Sequence, residues 1–355
     1  MTGQTAIHIR NLHKVYRLLA DGPLTRFALM KKSDLSLMSM TNLINQLAEE
    51  GVVDCYKEET AVKRVGRKAR TVILKTEAPV WLIMDLRNAS IVCEFFKADR
   101  KKAGTKTFDG PDYNRTFSEF LAFLGSAARR FPLRGAAAIT PGPYDPKTDR
   151  VKNIRIPELN SMPLQKTLSE ALGLDCYIEE DVKLSAIACS ERFPYMESLY
   201  YLYIGTGVGG AFVNKGDVIK GLNLMAGDPG QLLWEGRTFE EQLKTETVLA
   251  EAAAGSAEEV IRKKAEVARR LADIILWILD PHVLIIDCAW PGKLRSLFAK
   301  ETKTLLSENT WRIMPAISIP EGPEQESALG AINIMELRWI TQFCTKEKQT
   351  PRKEQ

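Results

Sequence analysis

Residues 79–343 alternate strand-like runs with helical runs, and that alternation restricts the fold of this 355-residue chain more than any other property. Strand-like runs fall at 80–86, 90–96, 135–139, 176–178, 199–204, 211–214 and 283–286. Apolar residues at helical spacing fall at 117–130, 164–172, 182–191, 258–279 and 327–343. Ser256 and Glu259 form an S-x-x-E capping box before the longest helix, and Asp280-Pro281 closes it. Such alternation predicts α/β layers, with helices covering a sheet. A domain takes roughly 100–200 residues, so a region of this length predicts two lobes.

The first 78 residues have a different grammar. Leu12, Val15, Tyr16 and Leu19 predict a helix over 11–19, and Asp21-Gly22-Pro23 stops it. Thr25 is placed to cap a short helix over 26–31. Lys32-Ser33-Asp34 turns the chain, and Ser36 caps a third helix over 37–50 that Gly51 ends. Met40, Leu43, Ile44 and Leu47 make its apolar face. The opposite face is Ser36, Met38, Ser39, Thr41, Asn42 and Asn45, all uncharged and mostly small or polar. A helix that only faces solvent more often carries Lys and Glu, whereas such side chains suit contact with base edges in a major groove. Two strand-like runs follow, 52–57 and 71–75, around a turn that holds Lys63, Arg64, Arg67, Lys68 and Arg70. A hairpin with a basic tip is suited to phosphates or the minor groove. Together these segments predict a winged helix-turn-helix.

Charge agrees with that division. Residues 1–78 hold 13 Lys and Arg against 8 Asp and Glu, a net of +5, while the remainder nets −1. A small basic module on a near-neutral body suggests a polyanion partner. An apolar content of 45% with 26% charged residues excludes a disordered chain. No run of about 18 uncharged apolar residues exists, so no spanning helix is expected. The opening MTGQTAIHIRNLHKVYRLL lacks an export-signal core, and six scattered cysteines without C-x-x-C spacing predict reduced thiols in the cytoplasm. With three histidines, none near a cysteine, no metal site is expected.

Several segments resemble one family, the ROK sugar kinases and sugar-responsive repressors. ITPGPYDPKTDRV (139–151) resembles its PGPVD segment, and IPELNSMPL (156–164) its sugar-loop segment. YIEEDVKLSAIACSE (177–191) resembles ENDANAAALAE, IGTGVGGAFV (204–213) a phosphate loop, and MAGDPGQ (225–231) AGEIGH. QESALGAINI (325–334) resembles the closing helix, and GRKARTVIL the end of the wing in the repressor branch, with Lys68 in place of proline. The order of the segments is also the family's.

The departures bear on function. The family's D-x-G-G-T is Asp85-Leu86-Arg87-Asn88-Ala89 here, without the glycines that let backbone approach nucleotide phosphates. The adenine-side segment is Cys288-Ala289-Trp290-Pro291-Gly292. GTGVGG at 205–210 fits either a phosphate cradle or a plain glycine turn between strands. The family's zinc histidine corresponds to Gln231, and its cysteine segment has shrunk to LLWEGRTFEE (232–241) without a thiol.

What remains resembles a polyol pocket. The resemblance implies Asp181 at the family's catalytic aspartate, where it would accept a hydrogen bond from a sugar hydroxyl; the plainer reading is a carboxylate favouring the helix start. Lys183 is placed to neutralise Asp181. Asp228 replaces a sugar-binding glutamate, Glu240 matches another, and either Asn153 or Asn160 corresponds to a sugar-binding asparagine. The expected organisation is a winged helix at 1–78, a first lobe at 79–190, a second lobe at 191–343 whose C-terminal helix returns to the first, and a polar tail at 344–355. The body is expected to be two-lobed and sugar-kinase-like, of the actin/hexokinase type. The expected function is a cytoplasmic, sequence-specific regulator of carbohydrate genes, by the family's habit a repressor. It would not be an enzyme and would need no cofactor. Its DNA contacts would come from Thr25, Ser36, Met38, Ser39, Thr41, Asn42, Asn45, Arg64, Arg67 and Lys68. Its partners would be a near-palindromic duplex, a sugar effector, and further copies of itself in a homodimer or homotetramer. The alternatives are a regulator that answers to no small molecule or to a protein, and an active sugar kinase.

Overall fold

The computed structural model describes residues 3–57, 70–152, 156–307, 315–320 and 326–346. The N-terminal segment comprises α1 (Gly3–Ala20), β1 (Leu24–Thr25), α2 (Arg26–Ser33), α3 (Leu37–Glu49), β2 (Val53–Lys57) and β3 (Arg70–Leu74). Its strands form an antiparallel sheet in the order β1-β3-β2. Thr25 accepts from the Ala28 N–H and Ser36 from the Ser39 N–H, so both expected caps form. The apolar stripes of the three helices converge, and Leu12, Tyr16, Leu29, Met40, Ile44 and Leu47 are all fully buried. Helix α1 starts eight residues before the expected 11, because its first turns are mostly exposed and show no apolar period. The hairpin tip with Lys63, Arg64, Arg67 and Lys68 lies outside the described residues.

The first lobe contains β4 (Pro79–Asp85), β5 (Ile91–Lys97), β6 (Lys102–Phe108), α4 (Tyr113–Arg130), β7 (Gly135–Thr140), β8 (Tyr144–Asp145), β9 (Arg150–Val151), α5 (Glu158–Ser161), α6 (Leu164–Leu172), β10 (Cys176–Glu180) and α7 (Asp181–Ser190). The second contains β11 (Ser198–Ile204), β12 (Val208–Asn214), β13 (Asp217–Val218), β14 (Leu233–Trp234), β15 (Arg237–Thr238), α8 (Phe239–Leu243), α9 (Thr245–Ala254), α10 (Ala257–Leu279), β16 (Val283–Cys288), α11 (Gly292–Ser307) and β17 (Ala316–Ser318). The C-terminal helix is α12 (Ser327–Lys346).

Both lobes are built on one plan. Their five-stranded sheets run β10-β7-β4-β5-β6 and β13-β12-β11-β16-β17. In each, three consecutive strands form an antiparallel meander, and the two later strands add in parallel beside the first. The parallel strands β7 and β16 are buried at every position, and the sequence shows apolar or small runs within them at 135–139 and 283–286. Strand β6, with the sequence KAGTKTF, is exposed at all but its last residue, so no alternation marks it.

Helix α12 lies against the first lobe. It packs on β4, β7, α7 and α1. Its crossing with α7 requires Gly330, because a Cβ there would stand 1.9 Å from the Leu184 carbonyl oxygen. One apolar core then runs from Leu12, Tyr16 and Ile44 through Trp81 and Ile83 to Ile332 and Met335. The N-terminal segment is therefore seated on the body rather than tethered to it.

Candidate functional site

A cavity of about 250 Å³ opens between the lobes. Each wall reaches it for a reason in the local chain. Strand β10 ends at Glu180, whose extended backbone is the N-cap of α7, so Glu180 and Asp181 project from the strand-to-helix junction. The segment after β7 supplies Pro141, Gly142 and Pro143, and Lys152 follows β9. The β11–β12 turn adds Thr206 and Gly207, the start of β12 adds Gly209, and the loop and helix beyond add Asp228, Gln231 and Glu240.

The expected ligand residues divide sharply. Asp181, Asp228 and Glu240 meet at this cavity. Asn160 lies in α5 and is not part of the lining. Asn153 is outside the described residues. Tyr203 and Lys152 line the cavity without having been expected, since neither stands in a segment whose composition marks a site.

The feature that sequence reading reached only halfway is Arg87. Its guanidinium donates to Asp85 through Nε at 2.9 Å and Nη2 at 2.7 Å, and Nη1 lies 3.4 Å from Asp181 Oδ2. The residue standing where a phosphate loop has glycine thus bridges the strand β4 carboxylate to the α7 carboxylate. Burial works against this cation, but the hydrogen bond to Asp85 and the charges of Asp85 and Asp181 outweigh it and hold the group protonated. Asp181 is in turn raised by burial, and Arg87 opposes that rise. Asp181 Oδ1 also accepts from the Val182 N–H at 2.8 Å, so the helix-start role is filled as well.

The sequence places Lys183 to neutralise Asp181, and the structure corrects this. The Lys183 ammonium turns to Glu180 at 2.6 Å and to the Leu224 carbonyl at 2.7 Å, because three residues along a helix bring it back over the cap. Burial pushes the Glu180 carboxyl up to about 7 against the pull of Lys183. Asp228 accepts from the Gly230 N–H at 3.2 Å, and Glu240 lies 3.3 Å from the Val208 N–H. The cavity wall is therefore rich in acceptors, suiting a ligand with many hydroxyl donors.

Residues 205–207 form the turn of the β11–β12 hairpin, where Ile204 pairs with Val208. A Cβ on Gly205 would stand 2.2 Å from the Tyr203 hydroxyl oxygen, so a tyrosine of the same hairpin uses the space that this glycine leaves.

On α3, Ser36, Met38, Ser39, Asn42 and Asn45 are exposed, with Met38 at 79%. Asn45 Oδ1 accepts from Arg26 at 3.5 Å, and the Thr41 hydroxyl donates to the Leu37 carbonyl at 2.8 Å. Thr25 is half-buried, with its oxygen engaged in the α2 cap.

Two five-stranded lobes of the same order around an acceptor-lined cavity define a sugar-kinase-like α/β body. The ROK family profile matches residues 85–239, and the chain carries a ROK family domain. The DNA-binding transcriptional dual regulator NagC of Escherichia coli K12 is 21% identical over 234 residues, 62% of this chain. That match spans 57% of the regulator's own length. The N-acetyl-D-glucosamine kinase of Vibrio cholerae is 25% identical over 153 residues, covering 42% of this chain and 51% of the kinase. Among solved structures, a ROK family transcriptional regulator homologous to E. coli MLC superposes with a TM-score of 0.68 at 17% identity. It covers 95% of this chain and 99% of the regulator, so the fold is shared nearly end to end. Among the described residues no helix is long and apolar enough to cross a membrane.

Proposed function

We propose that this protein is a sequence-specific DNA-binding transcriptional regulator whose kinase-like body senses a polyhydroxylated ligand and does not transfer phosphoryl groups. The N-terminal segment acts as a winged helix-turn-helix, with α3 as recognition helix and the β2–β3 hairpin as wing. The observation that carries the reading is the Arg87 bridge to Asp85 and Asp181, in a chain that adds a basic three-helix segment to the body. Phosphoryl transfer needs a carboxylate free to take a hydroxyl proton and backbone open to nucleotide phosphates. Here the carboxylate is ion-paired and an arginine stands in the phosphate turn. The similarity to NagC and to an MLC homologue supports regulation, and the kinase relatives support the sugar-binding origin of the cavity.

The working unit is a homodimer, or a tetramer of two such dimers. Two α3 helices would sit about one duplex turn (roughly 34 Å) apart and read a near-palindrome. A ligand in the interlobe cavity acts by favouring one body conformation over another. The test is binding of the purified protein to genomic fragments at about 150 mM salt, where non-specific contacts weaken. Enrichment of one near-palindromic sequence supports the reading, and uniform retention of all fragments overturns it. A thermal-shift screen of neutral sugars tests the sensor: a ligand at 100 times its Kd adds about 2.7 kcal/mol. A second reading, a regulator indifferent to small molecules, is favoured by the same Arg87 bridge, and no shift with any sugar selects it.

A further inference from the structure

The first turn of α3 presents carbon to its surroundings, because its polar side chains are spent on the helix itself. Ser36 Oγ accepts from the Ser39 N–H, and the two serine hydroxyls lie 2.9 Å apart in a hydrogen bond of their own. The Thr41 hydroxyl donates back to the Leu37 carbonyl at 2.8 Å. Leu37 and Met38, in the same turn, are 56% and 79% exposed. A single exposed apolar residue is ordinary. Two adjacent large ones beside hydroxyls already in use make a surface. Met38 stands three and four residues before Thr41 and Asn42, so this surface continues along the exposed face of the helix.

The charges around it say what covers it. Between Leu24 and Ala48 the only charged side chains are Arg26, Lys31, Lys32 and Asp34, a net of +2. Helix α3 itself carries no charge before Glu49, its last residue. Arg26 donates to Asn45 Oδ1 at 3.5 Å and so stands against α3, while Lys31 and Lys32 end α2, just before the turn into α3. A duplex has phosphates along the rims of its major groove and uncharged base edges on the floor. An uncharged helix face with cations beside it is the complement of that arrangement. Of the groups on the groove floor, the C5-methyl of thymine is the apolar one.

We propose that Leu37 and Met38 read the C5-methyl of a thymine in each operator half-site. The proposal rests on α3 being the recognition helix and adds what its first turn recognises. Asn42 offers a donor and an acceptor to one base edge, and the first turn takes an apolar one. Discrimination at that thymine comes from removing its methyl and the two side chains from water, with no hydrogen bond involved. The unbranched Met38 side chain can adjust to the methyl's position.

Selection by the full chain from a randomised duplex pool supplies the probe. Competition assays then replace each thymine of the selected half-site in turn by deoxyuridine, which pairs as thymine does and lacks only the methyl. At one thymine, or two neighbouring ones, the replacement should weaken wild-type binding about fourfold, the worth of burying one carbon. The Leu37→Ser/Met38→Ser double variant should bind the thymine and uracil duplexes equally, whereas Met38→Leu should retain the preference. Both side chains are exposed, so urea unfolding should show these variants folded. A selected half-site without thymine, or one whose thymines all tolerate deoxyuridine, overturns the proposal and leaves the DNA-binding reading intact. A uracil penalty undiminished in the double variant also overturns it, because another residue then reads the methyl. Uracil tolerance with a changed oligomeric state in the double variant assigns the surface to a contact between copies instead. A pool that yields no preferred sequence overturns the proposal and the DNA-binding reading together.

Discussion

Arg17 and Glu191 meet at 2.9 Å across the seam between α1 and the C-terminal end of α7. The first residue of that same ten-residue helix is Asp181, in the interlobe cavity. A rigid helix thus carries a cavity carboxylate at one end and an α1 contact at the other. Arg100 extends the contact, bonding both Glu191 and the fully buried Glu336 of α12, which also receives His13. This charge cluster and the shared apolar core are what seat α1 on the body.

Removing Glu336 should therefore be costly. Glu336→Ala strands Arg100, only 10% exposed, without its main partner, and a broken buried pair costs about 3–5 kcal/mol. Glu336→Gln keeps a hydrogen-bond acceptor and should cost less. Urea unfolding should show the midpoint falling with an unchanged m-value. A loss below about 1 kcal/mol, the usual worth of a surface pair, would mean that the cluster does not clamp α1.

Arg87→Gly should not create a kinase. The substitution frees Asp181 of its cation, but Asn88 and Ala89 remain in the turn, and the Tyr203 hydroxyl still crowds Gly205. Loss of the guanidinium removes the larger of two influences that lower Asp181, leaving only the Val182 N–H, so its carboxyl should titrate higher still. Carboxyl-carbon NMR would follow that titration, and labelled ATP with hexoses would follow phosphorylation. Sugar-dependent ATP consumption by the wild-type chain would defeat the assignment of Arg87 as a plug.

Glu180 predicts a pH dependence of stability. Burial raises its carboxyl from 4.5 to about 7, so between those values the folded chain holds a proton that the unfolded chain has released. The contribution is full below about pH 4.5 and is lost as pH rises through about 7. It amounts to up to about 3 kcal/mol. Glu180→Gln should flatten this slope. Lys183→Met, which removes the opposing charge, should extend it to higher pH. Unfolding free energies measured from pH 4.5 to 8 that decline identically in wild type and Glu180→Gln would refute the assignment.

The elements that sequence reading found are those whose burial leaves a period. Strands β7, β11 and β16 and helices α3 and α10 declare themselves by apolar runs, stripes and caps. Strand β6 and helix α11 did not, because one is an exposed sheet edge and the other shows a weak stripe. The site was legible where a motif supplied it, at Asp181, Asp228 and Glu240. The Arg87–Asp181 pair joins residues 94 positions apart, and no local pattern encodes a contact made by bringing the turn after β4 to the start of α7. Lys183 was misassigned for a related reason: sequence adjacency favoured Asp181, while helix geometry returns the side chain to Glu180.

Substitutions on α3 should separate base reading from cap formation. Asn42 is exposed, and its amide can offer both a donor and an acceptor to one base edge, so Asn42→Ala should relax preference at one operator position by about 1–3 kcal/mol. Thr41→Ala should act in the same direction but less, since the Thr41 hydroxyl already donates to Leu37. Ser36→Ala should instead cost about 1 kcal/mol of folding stability through the lost cap to Ser39, with affinity falling evenly over all sequences. Arg67→Ala, in the basic segment between β2 and β3, should also weaken binding evenly, and it should flatten the salt dependence. Competition assays with single-base operator variants, run at two salt concentrations beside urea unfolding, distinguish all four. If Asn42→Ala and Arg67→Ala weaken every operator variant equally and share one salt slope, then α3 is not the reading helix.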